Sequence, residues 1–381
     1  MEGDFIKINE WLTPLSWLYG LGVGFRNMLF ETGILKSRAF SIPIISVGNI
    51  TVGGTGKTPH VEYLIRLLQD KARVAVLSRG YKRKSKGFVV ANDNTTMRDL
   101  GDEPFQMKHK YPRVTVAVDK KRVHGIEKLT ELDPTLDVIV LDDAFQHRYV
   151  KPGVNILLVD YHRLIIYDKL LPAGRLREPL KGKDRADVVI VTKCPKELKP
   201  MEFRVITKAM DLFPYQKLFF TTLNYEPLVP IFPEECTGLS TLNNMHVLLL
   251  TGIASPQQLE TDLSAMLKGA TYYNLSYPDH HNFCRKDIER INAEFEAMPS
   301  PKCIITTEKD AARLAEAEGM SNNVRQNLYA IPIRVSFMLN HESAFNDFIL
   351  SYIQKNSKNS ILAKRKGKQA PDEKPATISF K

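Results

Sequence analysis

A glycine-rich segment at 51–58, Thr-Val-Gly-Gly-Thr-Gly-Lys-Thr, restricts the possible folds of this chain more than any other feature of its sequence. A β-branched apolar run at 42–47 precedes it, and a stretch of helical length at 58–70 follows it. A strand, a glycine-rich turn and a helix in this order form a phosphate-binding loop, because small residues let successive backbone N–H groups point at one anion. The predicted fold class is therefore α/β, with a mostly parallel sheet of the P-loop NTPase type flanked by helices.

Further short apolar runs along the chain support a parallel sheet. They lie at 73–77, 114–118, 138–141, 156–159 and 188–191. Helix-length segments separate several of them, and such alternation is typical of strands joined by helical crossovers. Because the runs are apolar at consecutive positions, we expect strands that are buried on both faces.

All eight residues of the loop are candidates for contacting ATP: Thr51, Val52, Gly53, Gly54, Thr55, Gly56, Lys57 and Thr58. Lys57 is expected to reach the β- and γ-phosphates, and the Thr58 hydroxyl to bind Mg²⁺. The helix that starts here adds the positive end of its dipole to the same anion site. Thr51 stands where the usual pattern has its first glycine, so the loop is a variant. The alternative is a glycine-rich turn with a chance Gly-Lys-Thr, which the flanking strand and helix disfavour.

Two neighbouring carboxylates, Asp142 and Asp143, follow the apolar run at 138–141. A P-loop enzyme needs an acid at the end of a buried strand to hold its magnesium ion, directly or through water. These residues are therefore candidate magnesium ligands. A strand end with solvated acidic side chains is the alternative interpretation.

Changes in composition divide the chain. Four prolines punctuate the stretch at 214–233, and a second strand–helix set follows it. The predicted units are an N-terminal segment at 1–38, a P-loop domain at 39–214, a connection at 215–233, a smaller α/β domain at 234–355 and a basic, disordered tail at 356–381. The tail carries seven Lys or Arg against two acids, half of the net charge of +10.

The N-terminal segment is unusually aromatic. From Trp11 to Phe25 it is uncharged, but it is shorter than the roughly 20 apolar residues that span a bilayer. With basic residues around it, the segment is expected to form a helix that lies in the membrane interface. A helix packed on the protein core is the alternative.

Nine short motifs occur in order along the chain. They are Val-Gly-Asn at 47–49, Gly-Gly-Thr-Gly-Lys-Thr-Pro at 53–59, Ser-Arg-Gly-Tyr at 78–81, Gly-Asp-Glu-Pro at 101–104, Leu-Asp-Asp-Ala-Phe-Gln-His at 141–147, Leu-Pro-Ala-Gly at 171–174, Leu-Arg-Glu-Pro at 176–179, Asp-His-His at 279–281 and Thr-Glu-Lys-Asp at 307–310. Together they resemble the tetraacyldisaccharide 4′-kinase family, the lipid A 4′-kinases of Gram-negative bacteria. The resemblance covers residues 11–340 and leaves out the basic tail.

This resemblance implies an activity and a location. Members of the family use ATP and Mg²⁺ to phosphorylate the 4′-hydroxyl of a tetraacyldisaccharide 1-phosphate during lipid A synthesis. The resemblance implies a peripheral or monotopic protein at the cytoplasmic face of the bacterial inner membrane, with an N-terminal helix that contacts lipid. The expected partners are the lipid substrate and the membrane surface.

The resemblance also assigns roles to single residues. Asp102 matches the catalytic aspartate of the family, and His280 matches its partner histidine. Glu178 joins Asp142 and Asp143 as a candidate magnesium ligand. From the sequence alone, Asp102 is also a candidate N-cap of the helix that begins near Pro104.

Three other classes of protein compete with this interpretation. The first is a P-loop ligase or nucleotide kinase, which would not need an aromatic N-terminal segment. The second is a nucleotide-driven switch or metallochaperone, which would favour an Asn-Lys-x-Asp loop; Thr-Lys-Cys-Pro stands at 192–195 instead. The third is a nucleic-acid-binding protein, suggested only by the basic tail. Aromatic residues are absent from that tail until Phe380, so no nucleic acid partner is expected.

The remaining basic residues suggest anion contacts. Arg79, Lys82, Arg83, Lys84 and Lys86 crowd one loop after the predicted strand at 73–77. This cluster is either a solvated surface or a site for a phosphate of the lipid or the nucleotide. His147 and Arg148, close to the two aspartates, are further candidates for contacting phosphate.

Overall fold

The computed structural model describes residues 8–235, 244–253, 256–267, 269–279 and 281–356. Within these ranges the chain forms two sheets, one of nine strands and one of five, with helices against them. The predicted α/β class is confirmed. Of the predicted tail at 356–381, only Asn356 belongs to the described residues.

The elements follow one another in two stretches of chain. The first holds α1 (Thr13–Glu31), β1 (Ile44–Gly48), α2 (Lys57–Leu68), β2 (Val74–Ser78), β3 (Val89–Val90), α3 (Met97–Leu100), α4 (Asp102–Lys110), β4 (Thr115–Val118), α5 (Arg122–Leu132), β5 (Val138–Asp142), β6 (Val154–Asp160), β7 (Val188–Thr192), α6 (Pro200–Met210) and β8 (Lys217–Tyr225). The second holds β9 (Val229–Pro230), β10 (His246–Thr251), α7 (Pro256–Met266), β11 (Thr271–Ser276), α8 (Arg285–Ala297), β12 (Lys302–Thr307), α9 (Glu308–Ala315), α10 (Asn322–Gln326), β13 (Leu328–Ile331), β14 (Ile333–Phe337) and α11 (Glu342–Asn356). Short 3₁₀ helices lie at Glu10–Leu12, Tyr161–Arg163, Ile165–Tyr167 and Leu180–Arg185.

The larger sheet has the strand order β14-β8-β7-β6-β1-β5-β2-β4-β3. Its strands from β8 to β4 are parallel, and β14 and β3 pair antiparallel at the two edges. The six apolar runs predicted as strands each overlap one of these parallel strands. Both faces are covered: Ile45 and Val47 of β1 pack with residues of α2 and α11, whereas Ile44 packs with residues of α5. Burial on both faces is the reason why the runs are continuously apolar.

The predicted domain boundaries need correction. The stretch predicted as a connection, 215–233, contains β8, which pairs in parallel with β7 of the larger sheet. The end of the predicted smaller domain, 234–355, returns to the larger sheet as well, because β14 pairs with β8 and α11 packs on the core around α2. The smaller sheet therefore lies between two crossings of the chain, one before β9 and one after β13.

The smaller sheet has the order β11-β10-β12-β13-β9, parallel except for β9. Side chains of α8 cover one face, against Leu248 and Leu250 of β10, and side chains of α7 cover the other, against Val247 and Leu249. Helix α9 lies against α4 of the larger unit. This contact brings the two sheets together beside the phosphate loop.

Helix α1 exposes most of its apolar residues. Only Ser16 and Phe30 of this helix are buried, while Trp17 is 71% exposed and Leu21 is 70% exposed. Helix α1 therefore packs on the protein core, the alternative interpretation, along one narrow side only. In the described part of the chain, no helix combines the length and the apolar character needed to cross a bilayer.

Candidate active site

The glycine-rich segment forms the turn between β1 and α2, as predicted. Gly53 and Gly56 adopt positive φ angles of 120° and 79°, and Gly56 precedes the first helical residue, Lys57. The Asn49 amide nitrogen donates to the Thr55 hydroxyl at 2.8 Å and so fixes the turn from inside. A Cβ placed on Gly54 would meet nothing within 4 Å, so the loop faces open space. This is the geometry of an anion cradle at a helix N-terminus.

The variant residue Thr51 does not disturb this cradle. It is buried and forms an antiparallel bridge with Leu176. The neighbouring backbone bonds run from Val52 N to Arg175 O at 2.8 Å and from Arg177 N to Ile50 O at 2.7 Å. Thr51 is not among the residues with positive φ, so this position has no need for a glycine.

The two aspartates at the end of β5 have different surroundings. Ser78 Oγ donates to Asp142 Oδ2 at 2.9 Å, and Asp142 Oδ1 is buried without a hydrogen-bond partner. Burial and the neighbouring Asp143 raise the pKa of Asp142 to about 6. Burial alone would also raise the pKa of Asp143, but Lys57 and Arg177 outweigh it and the net pKa is lowered. Asp143 Oδ1 lies 3.5 Å from Lys57 Nζ and 3.4 Å from Arg177 Nη2.

Asp102 is the first residue of α4, and Gly101 is the N-cap. The capping interpretation of Asp102 is therefore wrong. Its carboxylate forms an ion pair with Arg313 of α9. The other predicted catalytic residue, His280, lies outside the described residues. Its neighbour Asp279 lies 3.1 Å from Lys309 Nζ, which is 3.4 Å from Glu103 of α4.

A basic cavity of about 460 Å³ opens beside the phosphate loop. Its lining comprises Tyr19, Val23, Arg26 and Asn27 of α1 together with Arg79, Lys120, Arg122, Asp143, Gln146, His147, Arg148, Arg177 and Glu178. Burial and nearby arginines lower the pKa of His147 to about 4, so this side chain is neutral at pH 7. Burial lowers the pKa of Arg122 only to about 10, so the arginine stays charged. The cavity thus offers cations and neutral hydrogen-bonding groups to an anionic ligand.

A second basic cavity of about 340 Å³ adjoins the first, and Lys120 lines both. Arg83 and Lys86 line this second cavity, together with Lys121 and His124. Of the basic cluster noted in the sequence, Arg79 therefore lines the first cavity, Arg83 and Lys86 line the second, and Lys82 and Lys84 line neither. Three of the five basic residues therefore line a cavity.

A sequence profile of the tetraacyldisaccharide-1-P 4′-kinase family matches residues 8–354. The chain belongs to this family. It is 56% identical over 365 residues to the tetraacyldisaccharide 4′-kinase of Phocaeicola vulgatus, covering 94% of this chain and 99% of the relative. The corresponding protein of Bacteroides thetaiotaomicron is 49% identical over 376 residues, covering 96% and 98%. A crystal structure of LpxK from Aquifex aeolicus, an "apo" form in complex with ATP, is similar with a TM-score of 0.68 and 30% identity over 90% of this chain and 98% of that chain.

As a member of the 4′-kinase family, the chain is an ATP-binding phosphotransferase. Two of its four candidate metal ligands, Glu178 and Asp142, differ in their hydrogen bonds. The Glu178 side chain is 3% exposed and accepts from Arg185 Nη2 at 2.8 Å and from Gln146 Nε2 at 3.1 Å. Asp142, in contrast, has a buried oxygen without a partner. The Glu178 carboxylate is thus engaged by Gln146 and Arg185, whereas Asp142 keeps one oxygen open.

Sequence reasoning missed Arg122 and Arg177 as site residues of this kinase. Arg122 is 2% exposed and donates to the backbone oxygens of Asp119 and Asp142 at 2.6 and 2.8 Å. It follows β4, whose carboxyl end lies at the same sheet edge as that of β1. Ligands of parallel sheets bind at the carboxyl ends of strands. The position of Arg122 just after a predicted strand could therefore have indicated a site residue.

His60, in the first turn of α2, should contribute to the loss of stability of this protein at acid pH. Its Nδ1 lies 2.7 Å from Gly56 O and its Nε2 3.1 Å from Thr221 Oγ1, and burial lowers the pKa of His60 from 6.5 to about 4. Because the unfolded chain binds this proton first, stability falls as the pH drops from 6.5 to 4, by about 2 kcal/mol at pH 5. The loss of thermal midpoint between pH 7.5 and pH 5 should therefore be smaller in His60→Gln than in wild type. The exposed His109→Gln is the control, and equal losses in all three proteins would contradict the prediction.

Proposed function

We propose that this kinase transfers the γ-phosphoryl group of ATP to the 4′-hydroxyl of a tetraacyldisaccharide 1-phosphate, in the biosynthesis of lipid A. The observation that carries the proposal is the position of Asp143. Its carboxylate pairs with Lys57 of the phosphate loop at 3.5 Å, and it also lines the basic cavity. The loop and the cavity therefore share a wall, and an acceptor in the cavity lies beside the terminal phosphate of the nucleotide.

The residues present fit a magnesium ion. Asp142 Oδ1 is a buried carboxylate oxygen without a hydrogen-bond partner, on the strand next to β1. Thr58 lies in the first turn of α2 and supplies a hydroxyl. Mg²⁺ in kinases is usually bound by one or two protein ligands together with substrate phosphates and water, and Asp142 and Thr58 would supply those protein ligands. When bound, Mg²⁺ neutralises negative charge on the β- and γ-phosphates.

Asp102 is proposed as the base, with His280 as its partner. The 4′-hydroxyl oxygen attacks the γ-phosphorus, its proton passes to the Asp102 carboxylate, and the bond from the γ-phosphorus to the bridging oxygen breaks to release ADP. The start of α4 is close enough to β5 that Glu103 raises the pKa of Asp142, after the larger effects of burial and Asp143. Lys57 and Arg177 are proposed to stabilise charge on the transferring group.

The lipid character of the acceptor follows from α1, because its inner side lines the cavity and its outer side is apolar. Ser16 Oγ donates to Leu170 O at 2.9 Å, and the Tyr19 hydroxyl donates to Arg177 O at 2.8 Å. These bonds hold α1 directly over the site. A sugar headgroup in the cavity would leave its acyl chains beside the exposed face of α1. The second basic cavity, joined through Lys120, is proposed to hold the 1-phosphate of the same acceptor.

The exposed face of α1 should bind membranes. We propose that it docks this peripheral or monotopic protein on the cytoplasmic face of the bacterial inner membrane. Each large apolar side chain that leaves water contributes about 1.5–3 kcal/mol. The double variant Trp17→Ser, Leu21→Ser should therefore lower the partition onto vesicles of phosphatidylethanolamine and phosphatidylglycerol at least about tenfold in co-sedimentation. Leu132→Ser, at an apolar residue of α5 that is 61% exposed, is the control, and equal binding of both variants would refute the docking.

Transfer of label from [γ-³²P]ATP tests the proposed function against its rivals. The purified chain is offered tetraacyldisaccharide 1-phosphate in mixed micelles, and separately nucleoside monophosphates. Label is expected in the lipid alone. Label in a nucleoside diphosphate would favour a nucleotide kinase, and ATP hydrolysis without transfer would favour a nucleotide-driven switch.

A further inference from the structure

Helix α9 of the smaller unit touches helix α4 through charged side chains. Arg313 forms an ion pair with Asp102, and Lys309 Nζ lies 3.4 Å from Glu103 Oε1. The Arg313 side chain is 3% exposed and that of Asp102 is 17% exposed, whereas both partners of the other pair are 22% exposed. The contact that holds the proposed base is thus the more buried of the two.

The Arg313 side chain is also held by a residue of its own helix, Asp310. Its Nη1 donates to Asp310 Oδ1 at 2.9 Å, and the Asp310 side chain is fully buried. Asp310 Oδ2 accepts from Gly252 N and from Thr307 Oγ1, each at 2.8 Å. Gly252 and Thr307 stand at the carboxyl ends of the neighbouring strands β10 and β12. A relay of hydrogen bonds therefore runs from the edge of the smaller sheet through Asp310 and Arg313 to Asp102.

A guanidinium group suits this relay because it is planar and offers donors in a fixed arrangement. One terminal nitrogen of Arg313 holds Asp310, and the other holds Asp102 Oδ2. The orientation of the Asp102 carboxylate is therefore fixed in part by the smaller sheet, and not only by its own helix.

A charged cluster next to this relay joins the same helices. Lys110 Nζ, at the end of α4, lies 2.7 Å from Glu62 Oε2 of α2 and 2.6 Å from Glu308 Oε1 of α9. The helix that carries Lys57, the helix that begins with Asp102 and the helix that carries Arg313 therefore meet at one point. The smaller unit is held in register with the phosphate loop and the proposed base together.

We propose that Arg313 is a positioning residue for phosphoryl transfer, which orients the Asp102 carboxylate toward the acceptor hydroxyl and depends on Asp310 for its own orientation. The inference rests on the proposed function, since it acts through the base assigned there. Proton transfer needs the acceptor oxygen and the base within hydrogen-bond distance and correctly oriented. Loss of the contact with Arg313 would remove one of the groups that orient the Asp102 carboxylate, so this requirement would be met less often.

The test measures kcat and KM of the full chain with labelled ATP and the lipid acceptor. Arg313→Met, which keeps length and apolar volume, should lower kcat about 10- to 100-fold and leave KM for ATP within about twofold. Arg313→Lys should recover at least about fivefold of that loss, because an ammonium group restores the charge but not the planar fork. Arg325→Met is the matched control, because it removes an arginine–carboxylate pair with Glu235 within the smaller unit, and it should keep wild-type kcat.

The double variant Asp102→Asn, Arg313→Met decides whether Arg313 acts through Asp102. If it does, the double variant is no slower than Asp102→Asn alone, because residues that act as a unit do not add. Additive losses, or a kcat of Arg313→Met equal to that of Arg325→Met, would overturn the positioning role while leaving the proposed function intact. Full activity of Asp102→Asn, or no labelled lipid from wild type, would overturn the proposed base or the proposed function, and the role of Arg313 with it.

Discussion

Asp102→Asn should lower kcat for phosphoryl transfer to the lipid acceptor by about 10²- to 10⁴-fold, the usual contribution of a positioned general base. The asparagine side chain has the same shape as aspartate but cannot take the proton of the 4′-hydroxyl. KM for ATP should stay close to the wild-type value, because the proposed nucleotide site is the loop at 51–58 and not α4. Steady-state kinetics with labelled ATP measures both quantities.

Asp70→Asn is the control for this variant. Asp70 pairs with Arg113 on the surface, where the two side chains are 65% and 73% exposed, so its loss should change neither kcat nor KM. Asp102 is in contrast tied to Arg313 across the two units. If Asp102→Asn turned over within about threefold of wild type, Asp102 would not be the base and its contact with Arg313 would be structural.

Lys57→Met should lower kcat/KM for ATP by about 10²- to 10³-fold, the loss typical of removing one electrostatic stabiliser of a transition state. The methionine keeps the length of the side chain but removes the charge that is proposed to contact the β- and γ-phosphates. It also removes the cation that lies 3.5 Å from Asp143, which leaves that carboxylate with Arg177. Nucleotide affinity and turnover should therefore fall together.

Lys71→Met, just beyond the other end of α2, is the matched control. Lys71 is exposed and distant from the turn that contains Gly53 and Gly56. Wild-type binding of ATP by Lys57→Met, measured by calorimetry in the presence of Mg²⁺, would show that the loop does not hold the phosphates.

The sequence predicted the strands of the larger sheet well, because a strand buried on both faces is apolar at consecutive positions. The strand β1 is buried at all five residues, and β5 likewise. The strand β8 was missed because it is not buried in this way. It lies next to the edge of the sheet, is only partly buried along most of its length and is flanked by prolines, so it resembled a connection.

The return of the chain to the larger sheet could not be predicted from local patterns. The strand β14 pairs with β8 more than a hundred residues earlier in the chain, as Val335 and Leu223 show. Apolar periodicity indicates that an element has a buried face, but it does not indicate which sheet that face covers.

Short motifs predicted which residues belong to the candidate site, but not the contacts between them. The position of Lys57 at the start of α2 and of the two acids at the end of β5 followed from the spacing of strand, loop and helix. The ion pair between Asp102 and Arg313 joins residues 211 positions apart, and nothing in either local sequence indicates it. Thr51 departs from the usual motif, but its backbone pairs with Leu176 and the turn keeps its shape without a glycine there.

The most direct test of the account is a crystal structure of the chain with Mg²⁺ and a nonhydrolysable ATP analogue. The account predicts the β- and γ-phosphates on the backbone N–H groups of 53–58, with Lys57 Nζ withdrawn from Asp143 toward the γ-phosphate and the γ-phosphate facing the basic cavity. A nucleotide bound elsewhere, with the loop empty, would contradict it.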